Sequence, residues 1–433
     1  MIVVLVGCGQ DRQSGVESTS ETAALTGSVT DPCTVALTQH LGTERLDQSI
    51  VKLQDEIRRA VDPSPFLERL GWAFVTKARR SFDPGFYKLA EQTALCMGEQ
   101  QDDLSGRLLL QGHVLHNMHR FRDAEGVARQ LVRKRGLSFD YGLLGDVLME
   151  QGKLSEAVAA YQQMMDQKPS PQAYIRAAHV RWLSGDLAGA TELMRIAAPG
   201  FRDRESAAWA QVRLAGYEWQ AGNELKVTEH IHRALTLRHD YPPALLMRGR
   251  LWLAEGRYQD AIVALRRAVQ FNPLPEYQWV LSEALHAAGH AEEGREVDLE
   301  LKQHGELNDR RTFALYLATT GQNVETAVRL AQDELIARAD VFTLDTLAWA
   351  LSAAGKPEAA HAYSLRAVAE GTEDARLFYH AGVIATAVGQ HDEASHWLVR
   401  AALMQHMLLP SERQQLAKAF TTLPTQVSAL VAY

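Results

Sequence analysis

Hydrophobic residues recur along this chain at the spacing of a helix with one buried face. In a representative stretch, Leu245 and Trp252 mark one apolar stripe, and Ile262 and Leu265 mark a second, with other apolar residues three or four positions away. Gly256 separates the two stripes. A glycine ends a helix at low cost because it has no Cβ to clash in the left-handed conformation. The pattern predicts two antiparallel helices joined by a tight turn.

This helical pair recurs about every 34 residues, which is the period of a repeat solenoid. The turn position is occupied in successive copies by Gly85, His119, Gly152, Gly185, Gly222, Gly256, Gly289, Gly321, Gly355 and Gly389. Five residues further on, or six in the Gly321 copy, stand Ala90, Ala124, Ala157, Ala190, Val227, Ala261, Gly294, Ala327, Ala360 and Ala394. A small residue there lets two helix axes approach closely. One pair cannot bury its own apolar faces, so stability must come from stacking on neighbouring pairs.

The repeat resembles that of the tetratricopeptide repeat family, whose units of about 34 residues stack into a solenoid. The resemblance rests on the repeats above, with Gly249, Gly256, Ala261 and Pro273 among the clearest matches, and extends over roughly residues 66–409. It implies an all-α fold, a right-handed superhelical α-solenoid of about ten helix-turn-helix repeats with capping helices at both ends. The extra residue after Gly321 predicts a local irregularity.

Composition divides the chain into five segments. We predict a truncated signal peptide with a lipobox at 1–8, a flexible tether at 9–42, an N-terminal capping helix at 43–62, the solenoid at 63–409, and a C-terminal capping helix and tail at 410–433. The tether prediction follows from its Ser, Thr and Gly content, and the capping helices follow from amphipathic spacing outside the repeats.

The segment Leu5-Val6-Gly7-Cys8 resembles a bacterial lipobox, which implies cleavage before Cys8 and lipidation of that cysteine. The apolar stretch is shorter than a full signal peptide and no positive residues precede it. The alternatives are therefore a start further upstream or a soluble protein with an accidental match. By resemblance to bacterial lipoproteins, Gly9 after the cysteine implies an outer-membrane anchor facing the periplasm. No apolar run approaches the roughly 20 residues of a spanning helix, so we expect membrane attachment through lipid alone.

Three cysteines are present. If Cys8 carries lipid, Cys33 and Cys96 remain, and they either form a disulfide in an oxidising compartment or stay reduced within the fold.

Charge and motifs indicate a non-catalytic protein. The net charge is -8, with both signs interspersed, so we expect no nucleic-acid partner. No catalytic or nucleotide-binding motif is found, so we expect no enzyme activity and no cofactor. His113, His116 and His119 share one helix face, but a metal site needs further ligands and none is identifiable. We interpret these histidines as groove-lining or solvated.

By resemblance to the family, a protein or extended peptide would bind in the concave groove lined by the first helix of each repeat. Groove positions lie three, six and ten residues before the turn. They hold Phe82, His113, His116, Met149, His179, Trp182, Trp219, Arg250, Trp279, His286, Trp349 and Tyr379. We expect Trp349 to be exposed in the groove, whereas Trp182 and Trp219 either line it or pack between helices.

Family members that clamp the C-terminal carboxylate of chaperones use Lys and Asn at matched groove positions. Here those positions hold His113, Asp146 and His179, which argues against that specificity. The leading hypothesis is a lipid-anchored interaction scaffold of the bacterial cell envelope. The alternatives are a soluble cytoplasmic adaptor and a histidine-based metal-binding protein.

Overall fold

The computed structural model describes residues 31–98 and 105–421, and all regular structure within them is helical. These residues form two compact units divided between positions 136 and 137, which we call the first and second units. The first unit contains α1 (Pro32–Ala36), α2 (Arg45–Arg59), α3 (Ser64–Ser81), α4 (Gly85–Cys96), α5 (Ser105–Asn117) and α6 (Phe121–Lys134). None of the described helices is long and apolar enough to cross a membrane.

The second unit continues the same arrangement. Its helices are α7 (Ser138–Glu150), α8 (Leu154–Gln167), α9 (Pro171–Leu183), α10 (Leu187–Ala197), α11 (Arg204–Gln220), α12 (Glu224–Leu237), α13 (Pro242–Ala254), α14 (Tyr258–Phe271), α15 (Pro275–Ala287), α16 (Ala291–Asn308), α17 (Arg310–Thr320), α18 (Val324–Ala337), α19 (Val341–Ala353), α20 (Pro357–Val368), α21 (Ala375–Ala387), α22 (His391–Leu403) and α23 (Pro410–Thr421). From α3 to α22 the helices form ten successive pairs, which confirms the predicted all-α solenoid of helix-turn-helix repeats.

The predicted turns are correct in nine of the ten repeats. Every turn residue from His119 to Gly389 has a positive φ, between 58° and 82°. The exception is Gly85, which begins α4 instead. Phe82 takes the left-handed conformation there, and the Asp83 side chain accepts a hydrogen bond from the Gly85 amide at 2.8 Å. The turn predicted at Gly85 therefore lies three residues too late in the sequence. Asp83 and Pro84 follow the observed turn and start the second helix of this repeat.

Small residues allow the close helix contacts that the repeat predicts. The alanine after the turn in eight of the repeats is inaccessible, and Val227 and Gly294 in the other two are also buried. An added Cβ at Gly249 would lie 2.5 Å from the Leu265 side chain, and one at Gly382 would lie 2.5 Å from Leu398. A larger residue at either position would force the paired helices apart.

The Gly321 repeat accommodates its extra residue within the turn. Gly321 and Asn323 both adopt left-handed backbone conformations, with φ of 66° and 48°. Ala327 is nevertheless fully buried, so the second left-handed residue restores the helix pairing after the insertion. The predicted irregularity is confirmed and stays local.

Helices outside the repeats cover the apolar surface at both ends. In the first unit, α2 buries Ile50 and Leu53 against α3, at the start of the repeats. In the second unit, α23 buries Leu416 with α21 and α22 residues of the same core. Ser411 lies inside α23, and its amide and hydroxyl both donate to the Glu283 carboxylate.

The predicted tether needs correction where the structure describes it. Helix α1 lies within residues 31–42, and Ala36 in that helix is fully buried. Cys33 of α1 is bonded to Cys96 of α4, with their Cα atoms 4.7 Å apart. The bond and the α1–α4 packing hold this part of the tether against the first repeat. Residues 9–30 and Cys8 lie outside the described residues.

Candidate functional site

The second unit closes on itself through contacts between turns of early repeats and linkers that precede late repeats. The Ala339 amide donates to the Glu150 carbonyl oxygen at 3.1 Å, across nearly half the chain. The Thr372 hydroxyl donates to the Leu183 carbonyl oxygen at 2.6 Å. The turn residue Gly152 faces the Ala339 carbonyl so closely that a Cβ would lie 2.4 Å from its oxygen. We call these and the following interactions the closure contacts.

Further closure contacts involve the segment after α22. His406 Nε2 lies 2.7 Å from the Trp219 carbonyl oxygen, so this ring nitrogen carries the proton that it donates. The Arg250 guanidinium donates to the Met407 carbonyl oxygen at 3.2 Å. In the linker before α21, the Glu373 carbonyl oxygen accepts a hydrogen bond from the Gln220 side-chain amide. The early first helices are thereby joined to the end of the solenoid.

A buried ion pair accompanies the first closure contact. Arg338 Nε lies 2.9 Å from Glu150 Oε2, and each side chain is only 3% exposed. Burial raises the pKa of Glu150, an effect that Arg338 partly offsets. Separating the pair without hydrating it would leave a buried charge without its partner. The end of α7 and the linker after α18 are therefore energetically coupled.

Closure turns the concave face of the second unit into a cavity of about 760 Å³. This volume is in the range of small-ligand and short-peptide sites. Trp182, Trp279 and Phe342 form its aromatic walls, and Trp182 and Phe342 stack with ring centroids 5.8 Å apart. The late linkers therefore lie across the face where the sequence predicts a groove, so that this unit offers a partly enclosed cavity.

Most arginines of the cavity wall are neutralised by carboxylates. The pairs are Arg250 with Glu276 at 3.1 Å, Arg311 with Asp340 at 2.8 Å, Arg338 with Glu150 at 2.9 Å and Arg376 with Glu412 at 2.6 Å. Burial opposes the charge of Asp340, but Arg311 and Arg338 outweigh it and lower the pKa of this carboxyl. These charges are structural and hold the linkers to the helices.

Arg213 differs from those arginines. No carboxylate lies within ion-pair distance of it in the described part of the chain. Its guanidinium lies over the rings of Trp182 and Tyr217, 5.7 and 5.2 Å from their centroids, and donates to the Tyr217 hydroxyl at 3.3 Å. Arg213 lines the cavity and is half-buried, so its charge faces the enclosed space.

His179 lies beside Arg213 on the same wall. Its side chain is 7% exposed, its ring centroid is 5.5 Å from that of Trp182, and its buried Nδ1 has no hydrogen-bond partner among the described residues. Burial and the positive charge of Arg213 hold the pKa of His179 well below its usual range, although Asp146 and Asp340 act in the opposite direction. The imidazole is therefore neutral at pH 7.

The structure brings some of the predicted groove residues together and separates others. Those that line the cavity are Met149, His179, Trp182, Arg250 and Trp279. Trp349 does not line it. Its side chain is 8% exposed, its indole N–H donates to the Thr319 hydroxyl at 3.1 Å, and its ring stacks on His380. The expected exposure of Trp349 is wrong because the adjacent repeat covers it.

The remaining predicted residues of the second unit also lie elsewhere. Trp219 is buried and packs edge-on against His406, with ring centroids 4.8 Å apart. Tyr379 is buried and donates to the Gln415 side chain at 2.7 Å. His286 is exposed and pairs with Asp298 at 3.1 Å. These three positions serve helix packing or surface ion pairing, not the cavity wall.

The predicted residues of the first unit are held by local packing. Phe82 occupies the first turn, His113 packs on Trp72 with centroids 5.2 Å apart, and His116 packs edge-on against Phe121 at 5.5 Å. His119 takes the turn conformation of the second repeat and stacks on Phe121. Among the residues that the structure describes, no group of three or more His, Cys, Asp or Glu side chains is placed to hold a metal ion.

Sequence reasoning missed several cavity residues. Arg311 stands ten residues before the turn at Gly321, which is a groove position in our frame, so a signal for it existed. Arg213 stands nine residues before its turn, one position outside the frame, on a helix longer than those of the neighbouring repeats. Arg338 and Phe342 come from the segment between α18 and the first turns of α19, where the groove frame gives no signal.

Comparisons with known proteins give one family match and two structural likenesses. Residues 143–207 match the model of a tetratricopeptide repeat family. No curated protein matches the chain in sequence. The fold is similar to the solved structure of PilW, described as a widely conserved type IV pilus biogenesis factor, at 14% identity over 47% of this chain and 94% of that chain, with a TM-score of 0.40. It is also similar to a human IFIT1 dimer with PPP-AAAA, at 11% identity over 85% and 96% of the two chains, with a TM-score of 0.47.

Proposed function

We propose that this chain is a non-catalytic interaction scaffold and that its second unit binds a segment of a partner protein in the enclosed cavity. Tetratricopeptide repeats generally bind proteins, and the match at residues 143–207 contributes Met149, His179 and Trp182 to the cavity wall. The observation that carries the proposal is a cavity of about 760 Å³ with aromatic walls and mostly paired charges. Such a wall favours a short segment with apolar side chains over a large polar ligand.

Position-specific photocrosslinking tests this proposal in cells that express the protein. A photoreactive phenylalanine analogue replaces Phe342, which lines the cavity, and in a matched form replaces Phe271, which is 41% exposed and lies outside it. We expect a discrete crosslinked partner from position 342 that is absent from position 271. Equal crosslinking from both positions, or none from position 342, would contradict binding in the cavity.

We further propose that Cys8 anchors the scaffold to the bacterial envelope through lipid, facing an oxidising compartment. The lipobox-like segment before Cys8 and the bond between Cys33 and Cys96 support this location, since disulfides persist mainly outside the cytosol. The protein would then present its repeats to other envelope proteins.

Fractionation of the full natural product tests the anchor. Cys8→Ser should abolish labelling by radioactive palmitate and move the protein from the membrane to the soluble fraction. The matched control is the double change Cys33→Ser and Cys96→Ser, which should stay labelled and membrane-bound. A Cys8→Ser protein that remains in the membrane fraction would rule out lipid on Cys8 as the anchor, and a wild type that is unlabelled and soluble would favour the soluble cytoplasmic adaptor.

A further inference from the structure

Three side chains on one wall of the cavity form a cluster with unused binding capacity. His179 and Arg213 both lie against Trp182, at 5.5 Å between ring centroids and 5.7 Å from the guanidinium carbon to the ring. We call these three residues the Arg213 subsite. The indole N–H of Trp182 is already used, because it donates to the Gln220 side chain at 2.6 Å. Arg213 and His179 are therefore the residues of the subsite that can still form hydrogen bonds with a ligand.

Both groups are left in an unfavourable state by the fold itself. A guanidinium in a partly enclosed site loses hydration without the compensation of a carboxylate. A buried imidazole nitrogen without a hydrogen-bond partner also costs free energy. Every other buried or half-buried arginine of the cavity wall is paired with a carboxylate, as described above, so the absence of one at Arg213 sets this position apart.

We propose that the Arg213 subsite binds a single carboxylate of a peptide segment, which accepts hydrogen bonds from the Arg213 guanidinium and from His179 Nδ1–H. This inference rests on the proposed binding of a partner segment in the cavity and names the chemistry of that segment. A carboxylate matches the planar fork of N–H donors on arginine. A neutral imidazole can supply the second donor without adding charge.

The surrounding charges favour a group with one negative charge. Asp345 also lines the cavity, and among the described residues it is paired with His380 and not with an arginine, so it would repel a dianion such as a phosphate group more than a single carboxylate. Arg311 offers no second free cation, because it is paired with Asp340 at 2.8 Å. The subsite therefore favours a carboxylate over a phosphate group.

The aromatic wall defines what should lie next to the carboxylate. Trp182 stacks on Phe342, and the Arg311 guanidinium covers Phe342 with its carbon 5.9 Å from the ring centroid. Trp182, Trp279 and Phe342 all line the cavity, and such an aromatic wall suits a large aliphatic or aromatic side chain. We therefore infer a carboxylate followed or preceded within a residue or two by a bulky apolar residue.

Calorimetric titration of the full-length protein with three synthetic peptides tests the proposal and separates two sources of the carboxylate. The probes are acetyl-Ala-Leu-Phe with a free C-terminus, acetyl-Asp-Leu-Phe-amide, and the uncharged acetyl-Asn-Leu-Phe-amide. We expect at least one acidic peptide to bind about 10-fold or more tightly than the uncharged one. Preference for the first indicates a terminal carboxylate, and preference for the second indicates an acidic side chain. Failure of both to exceed the uncharged peptide would overturn the inference.

Matched variants locate the binding. Arg213→Gln should weaken the preferred peptide by about 10- to 100-fold, and His179→Phe, which keeps an aromatic ring beside Trp182, by about 10-fold. The control is Arg204→Gln, since Arg204 lies on the same helix α11 but is exposed and does not line the cavity. That change should alter affinity less than about 3-fold. Equal losses in the Arg213 and Arg204 variants would place the carboxylate elsewhere.

Two readouts keep the test independent of folding and of the proposed function. Arg213→Lys keeps the positive charge but loses the planar fork of guanidinium N–H donors. If its melting temperature is unchanged and its peptide affinity lies between those of the wild type and Arg213→Gln, the result supports direct contact between Arg213 and the carboxylate. If crosslinking at Phe342 persists in the Arg213→Gln form and the peptides bind it as tightly as the wild type, the carboxylate inference fails while the scaffold function stands. If crosslinking at Phe342 is absent in the wild type, the proposed function itself fails.

Discussion

Replacing Gly152 by alanine tests whether the second unit is closed as the structure describes. Gly152 has a φ of 70°, and an added Cβ would lie 2.4 Å from the Ala339 carbonyl oxygen. Gly256 supplies the matched control, because it has a φ of 74° and an added Cβ would meet nothing within 4 Å. Both substitutions carry the left-handed backbone cost of about 1–2 kcal/mol. Only the first one adds a clash with the late linker.

The magnitude of that clash follows from the contacts next to it. If Ala339 retreats, its hydrogen bond to the Glu150 carbonyl is lost, which is worth about 1 kcal/mol. The adjacent ion pair between Arg338 and Glu150 is 3% exposed on both sides, and breaking such a pair by removing one partner costs about 3–5 kcal/mol. Water entering the opened linker offsets part of this. We expect Gly152→Ala to destabilise closure by about 2 kcal/mol or more beyond Gly256→Ala.

Amide hydrogen exchange with mass spectrometry measures this difference locally. A loss of about 2 kcal/mol speeds exchange of the Ala339 amide about 30-fold, since each 1.4 kcal/mol is a factor of ten. Peptides spanning the linker between α18 and α19 should show this acceleration in Gly152→Ala and not in Gly256→Ala. Equal exchange in the two variants would refute the tight approach of Gly152 to Ala339 and with it the closed cavity.

Three further results follow from particular contacts. Arg213→Met should raise the pKa of His179 towards its usual value without reaching it, because burial remains, as measured by NMR titration with a His179→Gln form for assignment. Since the folded pKa of His179 is depressed, its stability contribution is present above about pH 6.5 and is lost as the pH falls below that value, so the wild type should lose more stability than His179→Gln between pH 6.5 and 5. Changing both Cys33 and Cys96 to serine should lower the unfolding free energy of the first unit by about 4 kcal/mol, as chemical denaturation would show, because the bond closes a loop with a sequence separation of 63. Trp349→Ala should lower the melting temperature of the second unit and cost about 3–5 kcal/mol, whereas peptide binding by the protein that remains folded should not change.

The repeat architecture was readable from sequence because each of its requirements is local. A left-handed turn needs a residue such as Gly152, and a close helix crossing needs a residue such as Ala157, at a fixed distance along the chain. The one misplaced turn illustrates the limit of this rule. Gly85 is a residue type suited to the turn, but it begins the second helix of the repeat. Phe82 adopts the left-handed turn conformation, and Asp83 and Pro84 begin the helix that follows.

Closure could not be read in the same way. The contact between Ala339 and Glu150 joins residues far apart in sequence, and it depends on the curvature accumulated over five intervening repeats. Neither Arg338 nor Ala339 occupies a characteristic position of the repeat. In the sequence, Arg338 and Glu150 resemble ordinary surface charges, because only the folded unit shows that both are buried. A small change in the rotation between repeats would leave the sequence pattern intact and remove the contact.

Trp182 and Trp219 show how closure assigns different roles to equivalent positions. Each stands three residues before its turn glycine, so the repeat pattern alone cannot distinguish them. Across from Trp182 lie Phe342 and the open volume of the cavity, and this ring stays half-buried beside Arg213. Across from Trp219 lies His406, which donates to its carbonyl and packs on its ring, leaving the side chain 4% exposed. The element that faces a first helix across the closed unit therefore decides whether its aromatic residue supports the fold or faces a ligand.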